Sequence, residues 1–392
     1  MSKSVSLLTF LCIFNLYCIV KSPDQPDPPY QLLQYLTAQA LQNETSNGSG
    51  ATTPAPSYNP SVISDTGQTL CYTNAGAPTP CTGTGQDGEF SNIPNIRSFT
   101  GPTQHSVYTT DYTTLDNLRG LVWKTCPEGQ TGATCAGVAS AISWNTATLG
   151  GIGSCNALNA QNAGNGYAGR TDWRIPTVKE LLSIVHYGNA PVFMETTEFP
   201  NADQSNLYLS ISDYGPNTTM EWVVDFIHPG FSIQPFVKNA NVFLRCVSGN
   251  PTPAPSFQDN GNGTITDRNT NLLWSKCPVG KSGSTCAVGV LFSGNRNSAL
   301  TNCGGLVLAG RSDWRLPNIN ELLSIVDYAS AGNPSILTAT FPNFPSNVFW
   351  TSTTNQEAGL LTQSLAISFT NGQVSSIPKT IAASAICVTS PP

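Results

Sequence analysis

Cysteine is the residue type best placed to do chemistry in this 392-residue chain, and its twelve copies admit metal ligation, thiol nucleophilicity or disulfide linkage. Setting aside Cys12 and Cys18, Cys71 and Cys81 form an upstream pair. The other eight fall into two sets: Cys126, Cys135, Cys155 and Cys246, then Cys277, Cys286, Cys303 and Cys387. Successive spacings are 9, 20 and 91 in the first set and 9, 17 and 84 in the second. Zinc sites favour tight C-x2-C pairs with histidines nearby. Here no such pair exists, and the histidines are only His105, His186 and His228. No metal site and no cofactor is expected, and the pattern reads as a disulfide framework of an exported chain. Each set of four allows three connectivities. The preferred one bridges Cys126 to Cys135 and Cys155 to Cys246, with Cys277–Cys286 and Cys303–Cys387 equivalent. In the loop-entropy picture the short bridge contributes about 2.6 kcal/mol and the long one about 4.6. The sets are expected to staple two independent compact bodies.

Catalytic constellations are absent: there is no G-x-S-x-G and no H-E-x-x-H. No catalytic residue is expected. Arg174 with Asp172 and Glu180, and Arg315 with Asp313 and Glu321, carry charges in an order that an active site might use. They are read instead as structural ion-pair and capping networks at two helix entrances. Gly280-Lys281-Ser282 resembles the end of a phosphate loop, but position 275 is Ser where the motif needs Gly. Asp259, Asn260, Asn262 and Asp267 could offer oxygens to calcium. Glycines stand where carboxylates would be wanted, so the run is read as turn chemistry. Gln25-Pro26-Asp27 matches the sugar-selecting triplet of calcium-dependent lectins but sits in a Pro-rich tether. Trp123, Trp173, Trp274 and Trp314 recur in register with the cysteines and are assigned to the core. Trp144, Trp222 and Trp350 lack clear counterparts, and Trp350 is the candidate ligand-contacting aromatic.

The elements that must position these residues come in two copies. Residues 113–123 (TTLDNLRGLVW) align with 264–274 (TITDRNTNLLW). Gly-Arg-Thr-Asp-Trp-Arg-Ile-Pro at 169–176 matches Gly-Arg-Ser-Asp-Trp-Arg-Leu-Pro at 310–317, and Pro176 and Pro317 each lead into Glu-Leu-Leu-Ser-Ile-Val. The offset falls from 151 to 141, so the first copy carries about ten extra residues in its middle. Thr177 with Glu180, and Asn318 with Glu321, form capping boxes ahead of apolar helical stripes. An earlier helix is expected to carry Cys155, and its equivalent Cys303. Strands are expected at 221–227, 241–247, 264–265, 347–353, 364–369 and 384–388, giving a mixed α+β fold.

A hydrophobic run from Val5 to Val20 after Lys3 reads as a signal peptide over residues 1–18, and Cys18 is a lipidation candidate. Plain secretion is the alternative. A Pro/Ser/Thr-rich, disordered tether follows over 19–56, with a short helix at 30–42. Copy 1 spans 57–249, a stiff linker 250–256, and copy 2 spans 257–392. Charged residues are 10% of the chain, against roughly 25% in typical soluble proteins. A net charge of −6 and no basic cluster argue against nucleic acid as a partner. Membrane contact is expected only through an N-terminal lipid anchor.

The run DNGNGTITDRNTNLLW, the segment SDWRLPNINELLSIVDY, FWTSTT and the final ICV together resemble the bacterial family typified by the C-terminal domain of Legionella collagen-like protein. The founding member recognises sulfated glycosaminoglycans. The resemblance therefore implies an envelope-displayed, adhesin-like module for a glycan or extracellular-matrix ligand. The chain's acidic balance sets a sulfated ligand apart from that expectation. The Arg-Leu-Pro-x-x-x-Glu segment is similar to that of formylglycine-generating enzymes, whose fold is C-type lectin-like. That likeness implies two tandem C-type lectin-like domains, each with a helix cysteine bridged to its last strand. An envelope component binding another bacterial protein is the alternative function, and a formylglycine-generating-type enzyme a third.

Overall fold

Thr177 and Asn318 start two short helices for the same reason: each side chain accepts from a backbone N–H three residues on, and that residue's glutamate reaches back. In this computed structural model residues 62–201, 206–330 and 332–390 are described, together with the backbone of two paired strands, Phe10–Ile13 and Tyr17–Val20. The expected tether, its helix at 30–42 and the side chain of Cys18 lie outside the described residues.

Both copies share one plan. In copy 1 a five-stranded sheet runs in the order Ile233–Val237, Met220–Val224, Tyr208–Asp213, Asn241–Phe243 and Ala141–Ser143. A second sheet joins Val247–Ser248, Leu121–Lys124, Tyr112–Asp116 and Phe99–Gln104. Copy 2 repeats this with Val348–Thr354, Gln363–Ser368 and Val374–Pro378 in one sheet. The other holds Phe257–Asp259, Thr264–Asp267, Leu273–Ser275 and Val388–Thr389. The strand expected at 241–247 is two pieces, because the chain crosses between sheets at 244–246 and Cys246 is bridged there. The strand expected at 221–227 stops at Val224, where Asp225 accepts from the Ile227 N–H and turns the chain.

All five disulfides form as preferred: Cys71–Cys81, Cys126–Cys135, Cys155–Cys246, Cys277–Cys286 and Cys303–Cys387. No helix among the described residues is long and apolar enough to cross a membrane. The extra residues of copy 1 sit in two places. Gly150 and Gly153, both at positive φ, break the cysteine helix into Trp144–Thr148 and Cys155–Asn159, with Ser154 capping the second piece. The remainder forms the turns at 160–166. In copy 2 the same helix runs unbroken over Arg296–Gly304.

The two copies are not independent bodies, contrary to expectation. One apolar cluster contains Leu182, Trp222 and Val224 of copy 1 and Leu323, Tyr328 and Leu365 of copy 2. The Trp222 indole N–H donates to the Tyr328 carbonyl at 3.1 Å, and Lys179 Nζ donates to the Ser324 carbonyl at 2.8 Å. The two six-residue helices Val178–Ser183 and Ile319–Ser324 pack against each other, so each covers part of the other's apolar face.

Candidate functional site

Each helix entrance is an ion-pair network. Arg174 donates twice to Glu180, at 2.8 and 2.7 Å, and Glu180 also accepts from the Thr177 N–H at 2.7 Å. Arg315 donates to Glu321 at 2.6 and 2.5 Å, and Glu321 accepts from the Asn318 N–H at 2.9 Å. The Arg174 guanidinium and the hydrogen bonds it gives hold the Glu180 carboxyl below its usual range despite burial. Pro176 and Pro317 precede the capping residues, and their carbonyls accept from the Ile211 and Ser352 N–H groups, both at 2.8 Å. Asp172 accepts from Ser248 and Gly249, while Asp313 accepts from Thr389. These carboxylates and guanidiniums tie the helix to the last strand. Trp173 and Trp314 are buried, donating to the Tyr167 and Leu308 carbonyls.

Trp350 requires correction as a ligand-contacting residue. It is 0% exposed and its indole N–H donates to the Gly294 carbonyl at 2.8 Å, so it cannot present a surface. The Pro-to-strand hydrogen bonds above put Ile211 opposite Ser352, and hence Leu209 opposite Trp350. The tryptophan fills a core position that copy 1 gives to leucine. Trp222 is equally buried. The Asp259 turn likewise holds its oxygens internally: Asp259 accepts from Gly261 and pairs with Lys276 at 2.6 Å, and Asn262 accepts from Thr264. No cluster of three metal-ligating side chains occurs among the described residues.

The geometry that sequence reasoning missed is a strap. Residues 62–95, counted with copy 1 in the expected span 57–249, lie ahead of its first sheet strand at Phe99 and run across copy 2. Gln68 pairs with the backbone of Thr354, donating at 2.6 Å and accepting at 3.2 Å. Asp87, fully buried, accepts from the Thr353 hydroxyl at 2.6 Å and from Thr66 at 2.8 Å. Burial pushes the Asp87 carboxyl up to about 6. Arg296 donates to Gln86 at 3.2 Å, Arg315 lies 5.4 Å from the Phe90 ring centre, and Asn318 donates to the Ile93 carbonyl at 3.2 Å. Lys379, lowered to about 7 by burial and by Arg296, donates to the Thr73 carbonyl at 3.2 Å. The Cys71–Cys81 bridge closes a small hairpin within this strap. One signal for it stood in the sequence: a stretch with its own disulfide that has no counterpart ahead of copy 2.

Copy 1 holds the same groove, without a strap among the described residues. A cavity of about 330 Å3 is lined by Thr148, Asn156, Arg174, Thr177, Ile211 and Pro251, among others. At the strap-contacting positions Arg296, Thr353, Thr354 and Lys379, copy 1 has Trp144, Ser212, Asp213 and Lys238. Lys238 pairs with Asp213 and covers the Trp144 ring at 4.1 Å. Nearby, Glu221 is 0% exposed and neither carboxylate oxygen has a hydrogen-bond partner. Burial raises its pKa to about 9 against the lowering effect of Lys238, so it is protonated at neutral pH. A larger cleft of about 510 Å3 lies between the copies, lined by the 252–255 linker, Lys179 and Tyr328 among others.

The family model described as the Lcl C-terminal domain matches residues 112–248 and again 263–389. The strap lies outside both matches. No curated protein and no solved structure matches the chain.

Proposed function

We propose, from the premise that this chain belongs to the Lcl C-terminal domain family and carries two copies of its domain, that it is an exported binding protein of the bacterial cell envelope. In this reading it is adhesin-like and recognises a glycan or an extracellular-matrix ligand. The observation that carries the reading is the pairing of a disulfide-clamped frame with an accessible groove on copy 1, in a chain whose charged side chains are absorbed in structural pairs. The five disulfides fit an oxidising compartment outside the cytoplasm. The copies are assigned a C-type lectin-like fold. In support, the last strand pairs back onto an early one, Trp123 opposite Val247 and Trp274 opposite Val388, and a helix cysteine is bridged beside that last strand.

An array of glycans and matrix proteins probed with the exported chain tests this reading. Binding no stronger than that of an unrelated disulfide-rich protein would remove it. The chain is a binder rather than a formylglycine-generating-type enzyme in this proposal, since that chemistry needs a reactive thiol and all ten cysteines from Cys71 to Cys387 are bonded. Labelling of the native protein that found a free thiol among those ten would reopen the enzyme.

A second reading, an envelope component whose partner is another bacterial protein, is favoured by one observation. The groove of copy 2 already binds polypeptide, the strap. Cross-linking on intact cells that captured host ligands alone would count against it.

A further inference from the structure

The strap of copy 2 is a complete example of what this groove binds, and among the described residues there are two grooves but one strap. The copy-1 groove is bordered instead by Pro251 of the linker, whose neighbour Thr252 donates its N–H to Glu180 at 3.2 Å. The copy-1 groove also keeps the strap-binding features in usable form. Ser212 accepts from the Val178 N–H at 3.1 Å, as Thr353 does from Ile319 at 3.0 Å. In copy 2 the hydroxyl proton then goes to the Asp87 carboxylate. In copy 1 the Ser212 proton has no acceptor among the described residues.

Other positions point the same way. Arg315 is 7% exposed beneath the Phe90 ring, whereas Arg174 is 25% exposed and has no ring against it. Arg296 donates to the strap, and its counterpart Trp144 offers an indole N–H that is buried without an acceptor among the described residues. Ser352 is 2% exposed and its carbonyl accepts from Arg296, while Ile211 at the equivalent position is 38% exposed. An unmet hydroxyl donor, an unmet indole donor, an open guanidinium face and a bare isoleucine together define a ligand: a carboxylate, an aromatic ring two or three residues on, and an apolar contact, all on an extended chain.

We propose that the copy-1 groove is a docking site for an extended acidic segment of another protein, seated as Gln86–Ile93 of the strap is seated on copy 2. The proposal rests on the reading of this chain as a binding protein, and it names the partner as polypeptide. The carboxylate accepts from Ser212, as Asp87 does from Thr353. The ring covers the Arg174 guanidinium, as Phe90 covers Arg315. Lys238, paired with Asp213, stands at the rim in the position that Lys379 holds beneath the strap.

The test uses a fluorescent peptide of residues 84–95 titrated into the full exported chain and read by anisotropy. Saturable one-to-one binding is expected, absent for a scrambled peptide of the same composition. Ile211→Arg and Thr148→Trp change exposed or half-exposed side chains at the groove. Each is expected to weaken binding at least tenfold with an unchanged melting temperature. No saturable binding, or binding indifferent to both variants, would overturn the proposal. So would a self-associated chain that Ile211→Arg returns to monomer, since the occupant would then be a second copy. Competition at the groove by neutral oligosaccharides but not by acidic peptides would overturn it in favour of a glycan. A blank ligand array beside groove-dependent peptide binding supports the groove and removes the host-ligand reading. Array hits without peptide binding overturn the groove alone.

Discussion

Copy 1 and copy 2 have the same frame and use it differently. In copy 2 the cysteine helix is continuous, the Arg315–Glu321 pair is sealed, and the groove beside it is crossed by the chain's own strap. In copy 1 two glycines break the helix, the Arg174–Glu180 pair keeps one face open, and no strap crosses the groove among the described residues. The substitutions follow the strap. Where it docks, the positions are Arg296, Thr353 and Thr354; in copy 1 they are Trp144, Ser212 and Asp213. A duplicated domain can therefore assign one copy to internal closure and leave the other for an outside partner. The shared apolar cluster lets the sealed copy support the open one.

The strongest challenge to that comparison is removal of a long disulfide. Loss of Cys155–Cys246 or of Cys303–Cys387, by paired alanine substitution, is expected to cost about 4.6 kcal/mol in either copy as a ceiling. Because the core is shared, calorimetry should show one shifted transition for each variant. Two resolved transitions would mean that the copies melt as separate bodies. The ion pairs should then separate the copies from each other. Arg315→Met leaves Glu321 buried without its partner and is expected to cost about 3–4 kcal/mol. Arg174→Met strands an equally buried carboxylate, but the arginine it removes is 25% exposed, so water can reach Glu180 in its place and the cost should be about 1–2 kcal/mol. Urea midpoints that rank the two the other way would erase the distinction between a sealed and an open site.

Glu221 sharpens the comparison by pH, since its counterpart across the copies is Ser364. Its folded pKa of about 9 lies above its ordinary value of 4.5, so the folded state binds the proton more tightly than the unfolded one. The contribution is full below pH 4.5 and is lost as pH rises toward 9. Glu221→Gln mimics the protonated acid at every pH. The variant should match the native chain near pH 4 and exceed it near pH 6.5 by on the order of 2–3 kcal/mol, two units at about 1.4 kcal/mol each. Parallel stability curves from pH 4 to 9 would show that this carboxyl is not held neutral.

Much of the frame could be read from residues. Cysteine spacing and the repeated Asp-Trp-Arg-x-Pro-x-x-x-Glu are short-range patterns, and they located the bridges, both capped helices and the ion pairs. The groove could not be read in this way. Its occupant in copy 2 comes from more than 200 residues upstream, through contacts such as Asp87 with Thr353 and Gln68 with Thr354. A Gln or Asp buried by such a contact looks, in sequence, like any loop residue. Trp350 misled for a related reason: the lack of a tryptophan counterpart suggested a surface role, whereas the core simply holds Leu209 in the other copy.

Gln68 gives the smallest expected effect and the most local one. Its amide donates to the Thr354 carbonyl and to the Tyr187 carbonyl and accepts from the Thr354 N–H, so one side chain joins strap, copy 1 and copy 2. Gln68→Ala leaves the Thr354 N–H buried and unpaired at a cost of about 1–2 kcal/mol. Asp87, the Cys71–Cys81 hairpin and the Arg315–Phe90 contact remain to hold the rest of the strap. Hydrogen exchange should therefore quicken along 64–75 and at Thr354 while the copy-1 helix Val178–Ser183 keeps its protection. Exchange that quickened equally in that helix would place the strap in the global core, and the contrast between a closed and an open copy would lose its physical basis.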